Sequence, residues 1–216
     1  MSEPESLATD EDLGAYIRRH AYDRLLMLSD GIFAIAITLA ALEIQPQGEH
    51  GSPAQLLQAL IRPVLAYLVS FFIIGIFWIQ HRNLFARLRR VDTALTGLTL
   101  LFLCLVALLP AVVHGVYAPG DDEAPFRLYA AMMIGCGLAN AAMWFYATRR
   151  GPGLMAGEVS AGYRLSRVIA TLGLPIIFTP ALFLSLAQMP KVLLPMAVLL
   201  GIVRRVLLPR WLGKTE

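Results

Sequence analysis

The chain has 216 residues, 57% of them hydrophobic and only 15% charged, with a mean hydropathy of +0.65. That is too apolar for a water-soluble domain of this length and points to an integral membrane protein. The net charge of +3 does not indicate a nucleic-acid partner, because the basic residues gather at the ends of apolar stretches and no basic patch is interleaved with aromatics. Cys104 and Cys136 lie inside apolar runs at no metal-binding or redox spacing, so both are expected in the core, without a disulfide framework.

Residues 1–20 are polar and acidic and lack the apolar region of a cleaved signal, so the first span is expected to be retained. Thr9 to Asp12, followed by Leu13 and Tyr16, either cap a short helix leading to Arg18 and Arg19 or belong to a disordered head. The first span is placed at 25–44, twenty residues that cover roughly the 30 Å hydrocarbon core at about 1.5 Å each. It carries one carboxylate, Asp30, directly after Ser29. With about 100° per residue and Ile35 set at zero, Leu28, Gly31, Thr38, Leu39 and Leu42 fall within about 60° of it. Ser29, Phe33, Ile37 and Ala40 fall behind, and Asp30 lies at roughly 220°. One face is therefore an aliphatic stripe with a single hydroxyl. The other bears the polar pair with the small residues Ala36 and Ala40, which let a neighbouring helix approach closely. By spacing alone, Ile35, Leu39 and Leu42 at i, i+4 and i+7 are also what ordinary helix packing requires.

The run Arg24, Leu28, Ser29, Asp30, Gly31, Phe33, Ala34, Ile35, Ala36, Ile37, Thr38 resembles the first-helix signature of the endosomal and lysosomal transmembrane potassium channel family, in particular its bacterial, single-repeat members. Leu28 stands where phenylalanine is usual. The resemblance continues at Trp78, His81, Leu84 and Phe85, although Gln80, His81 and Arg82 replace the more common Asn and His-His. It implies that Ile35, Leu39 and Leu42 form aliphatic rings around a conduction path with Thr38 between them, that potassium passes near Thr38, and that the assembly is a homotetramer. If that implication holds, one such helix cannot surround an axis, and the chain carries a single copy of the Ser-Asp-Gly signature, so several subunits must each supply a copy.

Residues 45–55 are rich in Pro, Gly and Ser and read as a loop. Further spans are expected at 64–80, 95–116, 128–147, 168–186 and 192–208, with Pro110 kinking the third and Pro175 and Pro180 bending the fifth. The reading is one all-α domain of six transmembrane helices. Lys and Arg divide fifteen to three between the two sides of this map, with Arg62, Arg127 and Lys191 the minority. Both termini are accordingly expected in the cytoplasm, of a bacterial inner membrane if the resemblance holds.

The chain lacks HExxH, CxxC, a Gly-rich phosphate loop and GxSxG, so it is not expected to be an enzyme or to hold a cofactor. Its four histidines are scattered, and no metal site is expected beyond permeating potassium. Asp30, Ser29, Trp78 and His81, with Arg24 near, are expected to form a hydrogen-bonded structural network. No carbonyl filter and no periodic arginine helix occurs, so a pore would work by a hydrophobic constriction that closes by dewetting. The rival is a proton-coupled secondary transporter using buried Asp30 and His81. An intramembrane enzyme built on Ser29 and His81 would lack a third group and an oxyanion device.

Overall fold

The computed structural model describes residues 4–42, 44–46, 51–117, 123–157, 159–184 and 188–202, with side chains from His20 onward except at 114–117, 152, 161, 189–190, 193–194, 197, 200 and 202. Six helices follow one another: α1 (Pro4–Leu42), α2 (Pro53–Phe85), α3 (Thr93–Tyr117), α4 (Ala124–Arg150), α5 (Ala161–Phe178) and α6 (Met189–Ile202), with a 3-10 turn, Thr179–Leu182, after α5. Among the described residues, five stretches are long and apolar enough to cross a membrane: His20–Leu42, Pro53–Phe85, Thr93–Val113, Ala124–Arg150 and Gly162–Leu182. The chain is an all-helical, multi-pass membrane protein. The stretch 192–208 runs beyond the described residues, and the described part of α6 ends at Ile202.

Several helices are longer than their apolar cores. Instead of a capped short helix or a disordered head, residues 4–24 are the first turns of α1, continuous with the apolar part. The loop expected at 45–55 stops earlier, because Ser52 caps α2 by accepting a hydrogen bond from the Gln55 N–H and Pro53 opens the helix. Proline suits that position, where its missing N–H costs nothing. Pro63 and Pro110 lie inside helices that continue through them.

α4 occupies the middle of the bundle, packed on α3 and α5, while α1 packs on α3 and α2. Its small buried residues, Ala130, Gly137, Ala139 and Ala147, explain the placement, since they let neighbouring backbones come close. The nearest approach is at Gly137, where a methyl group would lie 2.3 Å from Cγ and Cδ of Pro175 in α5. Phe33, Ile74, Phe77, Phe102, Leu109, Met133, Met143 and Trp144 are among the buried side chains of the core. Cys136 is buried as expected, but Cys104 is exposed. The reason is general to membrane helices: an apolar run marks contact with lipid as readily as contact with the core. The outer faces of the helices carry large apolar side chains such as Leu57, Phe72, Leu101 and Phe145, the surface that lipid or a second subunit would cover.

Candidate functional site

α1 is divided lengthwise. Leu25, Ser29, Phe33, Ala36 and Ala40 are buried, a progression of four, four, three and four residues that keeps one face against α2 and α3. On the opposite face Leu28, Ile35, Leu39 and Leu42 are 46%, 58%, 43% and 71% exposed. Gly31 and Thr38 lie among them and are exposed as well. This is the stripe that the helical wheel groups together. The Thr38 hydroxyl donates to the carbonyls of Ala34 and Ile35, both at 3.0 Å. Since its proton is held by the helix, its lone pairs are left free to accept a proton donor or a cation.

The polar residues at the foot of α1 do not form a single network. Trp78 Nε1 donates to Asp30 Oδ1 at 2.8 Å, and the Arg82 guanidinium lies over the Trp78 ring at 5.0 Å. Arg82 is thus the cation beside this pair. Arg24 is exposed, and among the described residues no ion pair joins it to Asp30. Ser29 is fully buried and donates to the Leu25 carbonyl at 2.7 Å. A helical serine has the carbonyl one turn back as its nearest acceptor, which is why it does not reach Asp30.

His81 lies in an aromatic cage. It is buried, stacked on Phe85 with ring centroids 4.3 Å apart, and flanked by Phe102 at 5.9 Å and Phe33 at 5.8 Å. Its Nε2 has no hydrogen-bond partner among the described residues. Sequence reasoning missed this cage, of which only Phe85, four residues on in the same helix, was locally visible, because Phe33 and Phe102 come from α1 and α3. It also missed a buried amide pair: Asn140 Nδ2 donates to Gln80 Oε1 at 2.6 Å, and Gln80 Nε2 to the Ala170 carbonyl at 3.4 Å. Asn140, the single amide side chain in an apolar α4, was the available signal, because an isolated buried amide needs a partner. No group of three or more His, Cys, Asp or Glu residues able to hold a metal occurs among the described residues. An apolar groove of about 610 Å³ runs between α1 and α2, with Phe33, Ile37, Phe72 and Ile76 in its walls and Asp30 and Trp78 also lining it.

Residues 24–110 match the family described as endosomal/lysosomal potassium channel TMEM175. A potassium channel of Streptomyces collinus is 38% identical over 135 residues, 59% of this chain and 65% of that protein. A potassium channel of Chamaesiphon minutus is 30% identical over 131 residues, 57% of this chain and 64% of that one. The human protein described as endosomal/lysosomal proton channel TMEM175 is 29% identical over 136 residues, 56% of this chain and 27% of that one. The chain thus spans a little under two thirds of the bacterial relatives and about a quarter of the human one. The crystal structure of a lysosomal potassium-selective channel TMEM175 homolog from Chamaesiphon minutus superposes with a TM-score of 0.63 at 24% identity, covering 87% of this chain and 100% of that one, so the fold is shared.

Proposed function

We propose that this chain, a relative of the bacterial members of the TMEM175 potassium channel family through residues 24–110, is one subunit of a potassium-permeable channel whose α1 helices surround the conduction path. The observation that carries the reading is the division of α1. In the segment shared with the family, one face is buried within the subunit, and the other presents Ile35, Thr38, Leu39 and Leu42 outward. Apolar side chains left bare by their own subunit are covered by lipid or by protein, and the match of this segment to a channel family favours copies of the same helix around an axis as the cover. The groove between α1 and α2 offers a neighbouring copy a seat. A homotetramer of six-span subunits, with both termini cytoplasmic in a bacterial inner membrane, accommodates the fifteen-to-three division of basic charge.

From Ile35 to Leu42 is about 10 Å along the axis, room for aliphatic rings with a hydroxyl ring between them. Such a neck loses its water when narrow, and when slightly wider it makes a cation shed part of its hydration. Potassium gives up water more readily than sodium, and a Thr38 oxygen, its proton already committed to the helix, replaces some of what is lost. Ile35, the ring nearest the Asp30 end, serves as the main gate.

The rival transporter needs Asp30 and His81 to exchange a proton. Asp30 instead holds Trp78, and His81 is enclosed by phenylalanine rings. Ser29, bonded to its own helix, is likewise no nucleophile for an enzyme. Purified protein in planar bilayers under opposed potassium and sodium gradients tests the proposal. A channel gives current that reverses toward the potassium equilibrium potential without a co-substrate. Saturating flux that moves the pH would favour the transporter instead.

A further inference from the structure

At the end of the bundle where α2 gives way to α3 and α4 to α5, the two connecting segments are tied by their backbones. The Arg89 N–H donates to the Leu154 carbonyl and the Ala156 N–H to the Arg87 carbonyl, each at 2.8 Å, around the antiparallel bridge of Leu88 and Met155. The Arg90 side chain adds a bond to the Gly153 carbonyl. These ties hold open a pocket of about 520 Å³ with Arg87, Tyr163 and Arg167 in its wall.

The charge arrangement of that pocket is unusual. The Arg87 guanidinium lies 4.0 Å and the Arg167 guanidinium 4.8 Å from the centre of the same Tyr163 ring. Arg167 also lies 5.7 Å from the Trp144 ring, and its Nε is buried without a hydrogen-bond partner among the described residues. Two like charges are thus gathered on one aromatic ring, and among the described residues no carboxylate pairs with either. Aromatic rings can support guanidinium groups, but they accept none of the forked N–H donors. An acceptor with several oxygens would satisfy both arginines at once.

We infer that this pocket binds a phosphate group, either the headgroup of an anionic lipid or a soluble phosphate. Phosphate offers the geometry that paired guanidinium groups match bidentately. The depth suits either source, since Arg87 follows the end of α2 at Phe85 and Tyr163 stands at the start of the apolar stretch Gly162–Leu182. The opening turn of α5, capped by Ser160 through the Tyr163 N–H, adds its favourable dipole. The site does not depend on what the protein conducts, and its test reads binding alone.

The full chain, purified in phosphate-free neutral detergent, is titrated calorimetrically with inorganic phosphate, with dihexanoyl phosphatidic acid and, as a zwitterionic control, with dihexanoyl phosphatidylcholine. Saturable binding of phosphatidic acid alone identifies a lipid headgroup, and binding of inorganic phosphate as well identifies a soluble anion. R87Q, at an exposed position outside the core, is expected to weaken binding about tenfold or more. R164Q, also exposed on α5 but outside the pocket, should leave it unchanged. Glu158 is the one acid between residues 151 and 160 and lies outside the described residues. E158Q should bind as tightly as the parent or more tightly. The proposal is overturned if neither phosphate probe binds the parent or E158Q, or if R87Q and R164Q weaken binding equally, which would mean diffuse attraction to a basic surface.

Discussion

Removing the Asp30 charge should loosen α1 from α2 while leaving ion preference intact. Trp78 Nε1 donates to Asp30 Oδ1 at 2.8 Å, a hydrogen bond joining these helices, as does the one from the Tyr22 hydroxyl to the Phe85 carbonyl. A bond to an ionised acceptor contributes about 1.5–3 kcal/mol when sheltered. Asp30 is exposed, and solvent screening reduces that to about 1 kcal/mol. Asp30→Asn keeps the acceptor oxygen and loses the charge, so roughly half of the stabilisation goes; Trp78→Phe removes the donor altogether. A double-mutant cycle on thermal unfolding should return a coupling of about 0.5 kcal/mol, the half that asparagine does not keep, a shift of roughly 1–2 °C for a chain of this size. Asp30 is five residues before Ile35, about 140° round the helix, so the assembled variant should keep its reversal potential. The reasoning fails if the two substitutions are additive, or if well-assembled Asp30→Asn channels change their potassium preference sharply.

Thr38→Ala should lower the preference for potassium over sodium without raising basal current, because it deletes an oxygen and leaves the neck apolar; reversal potentials and open probability together check this. Gly137→Ala pushes a methyl to within 2.3 Å of the Pro175 ring, and overpacking of this kind costs about 1–3 kcal/mol, to be read as a lower midpoint of thermal unfolding, whereas alanine at Gly75, where a methyl meets nothing within 4 Å, should be tolerated. Asp92 caps α3 through the Leu95 N–H at 2.8 Å and accepts the Tyr146 hydroxyl at 2.6 Å. Partial burial pushes its carboxyl up, but these bonds and the nearby Arg150 outweigh that and hold it below the ordinary 3.8. The stabilisation it contributes is therefore present above about pH 4 and lost as pH falls through the depressed value. Thermal midpoints measured downward from pH 5 should fall more steeply for the parent than for Asp92→Asn.

The lengthwise division of α1 was legible because a helix repeats every 3.6 residues, and a stripe of Leu28, Ile35, Leu39 and Leu42 opposite Ser29, Phe33 and Ala40 survives any choice of neighbours. The apolar lengths of five spans were legible for the same local reason. What escaped depended on contacts between distant segments. His81 was expected to share a hydrogen-bonded network with Asp30; it lies near enough to feel that carboxylate, but Phe33 and Phe102, from other helices, enclose its ring. Ser29 was given a partner across the subunit interior and found one in its own backbone. Helix ends shifted because capping by Ser52 and Pro53 lies outside the apolar window. The Arg87, Tyr163 and Arg167 arrangement joins residues 76 and 80 positions apart in sequence, where charge counting registers only surplus basic groups.

Reversal potentials of Ile35→Asn channels in bilayers under a potassium and sodium gradient test most directly whether α1 lines the path. Asparagine wets the neck at its narrowest ring and removes the dewetting barrier, so basal current should rise while the reversal potential moves away from the potassium equilibrium value. Conductance and reversal potential both unchanged in a normally assembled Ile35→Asn protein, with substitutions on another helix altering them, would contradict the account.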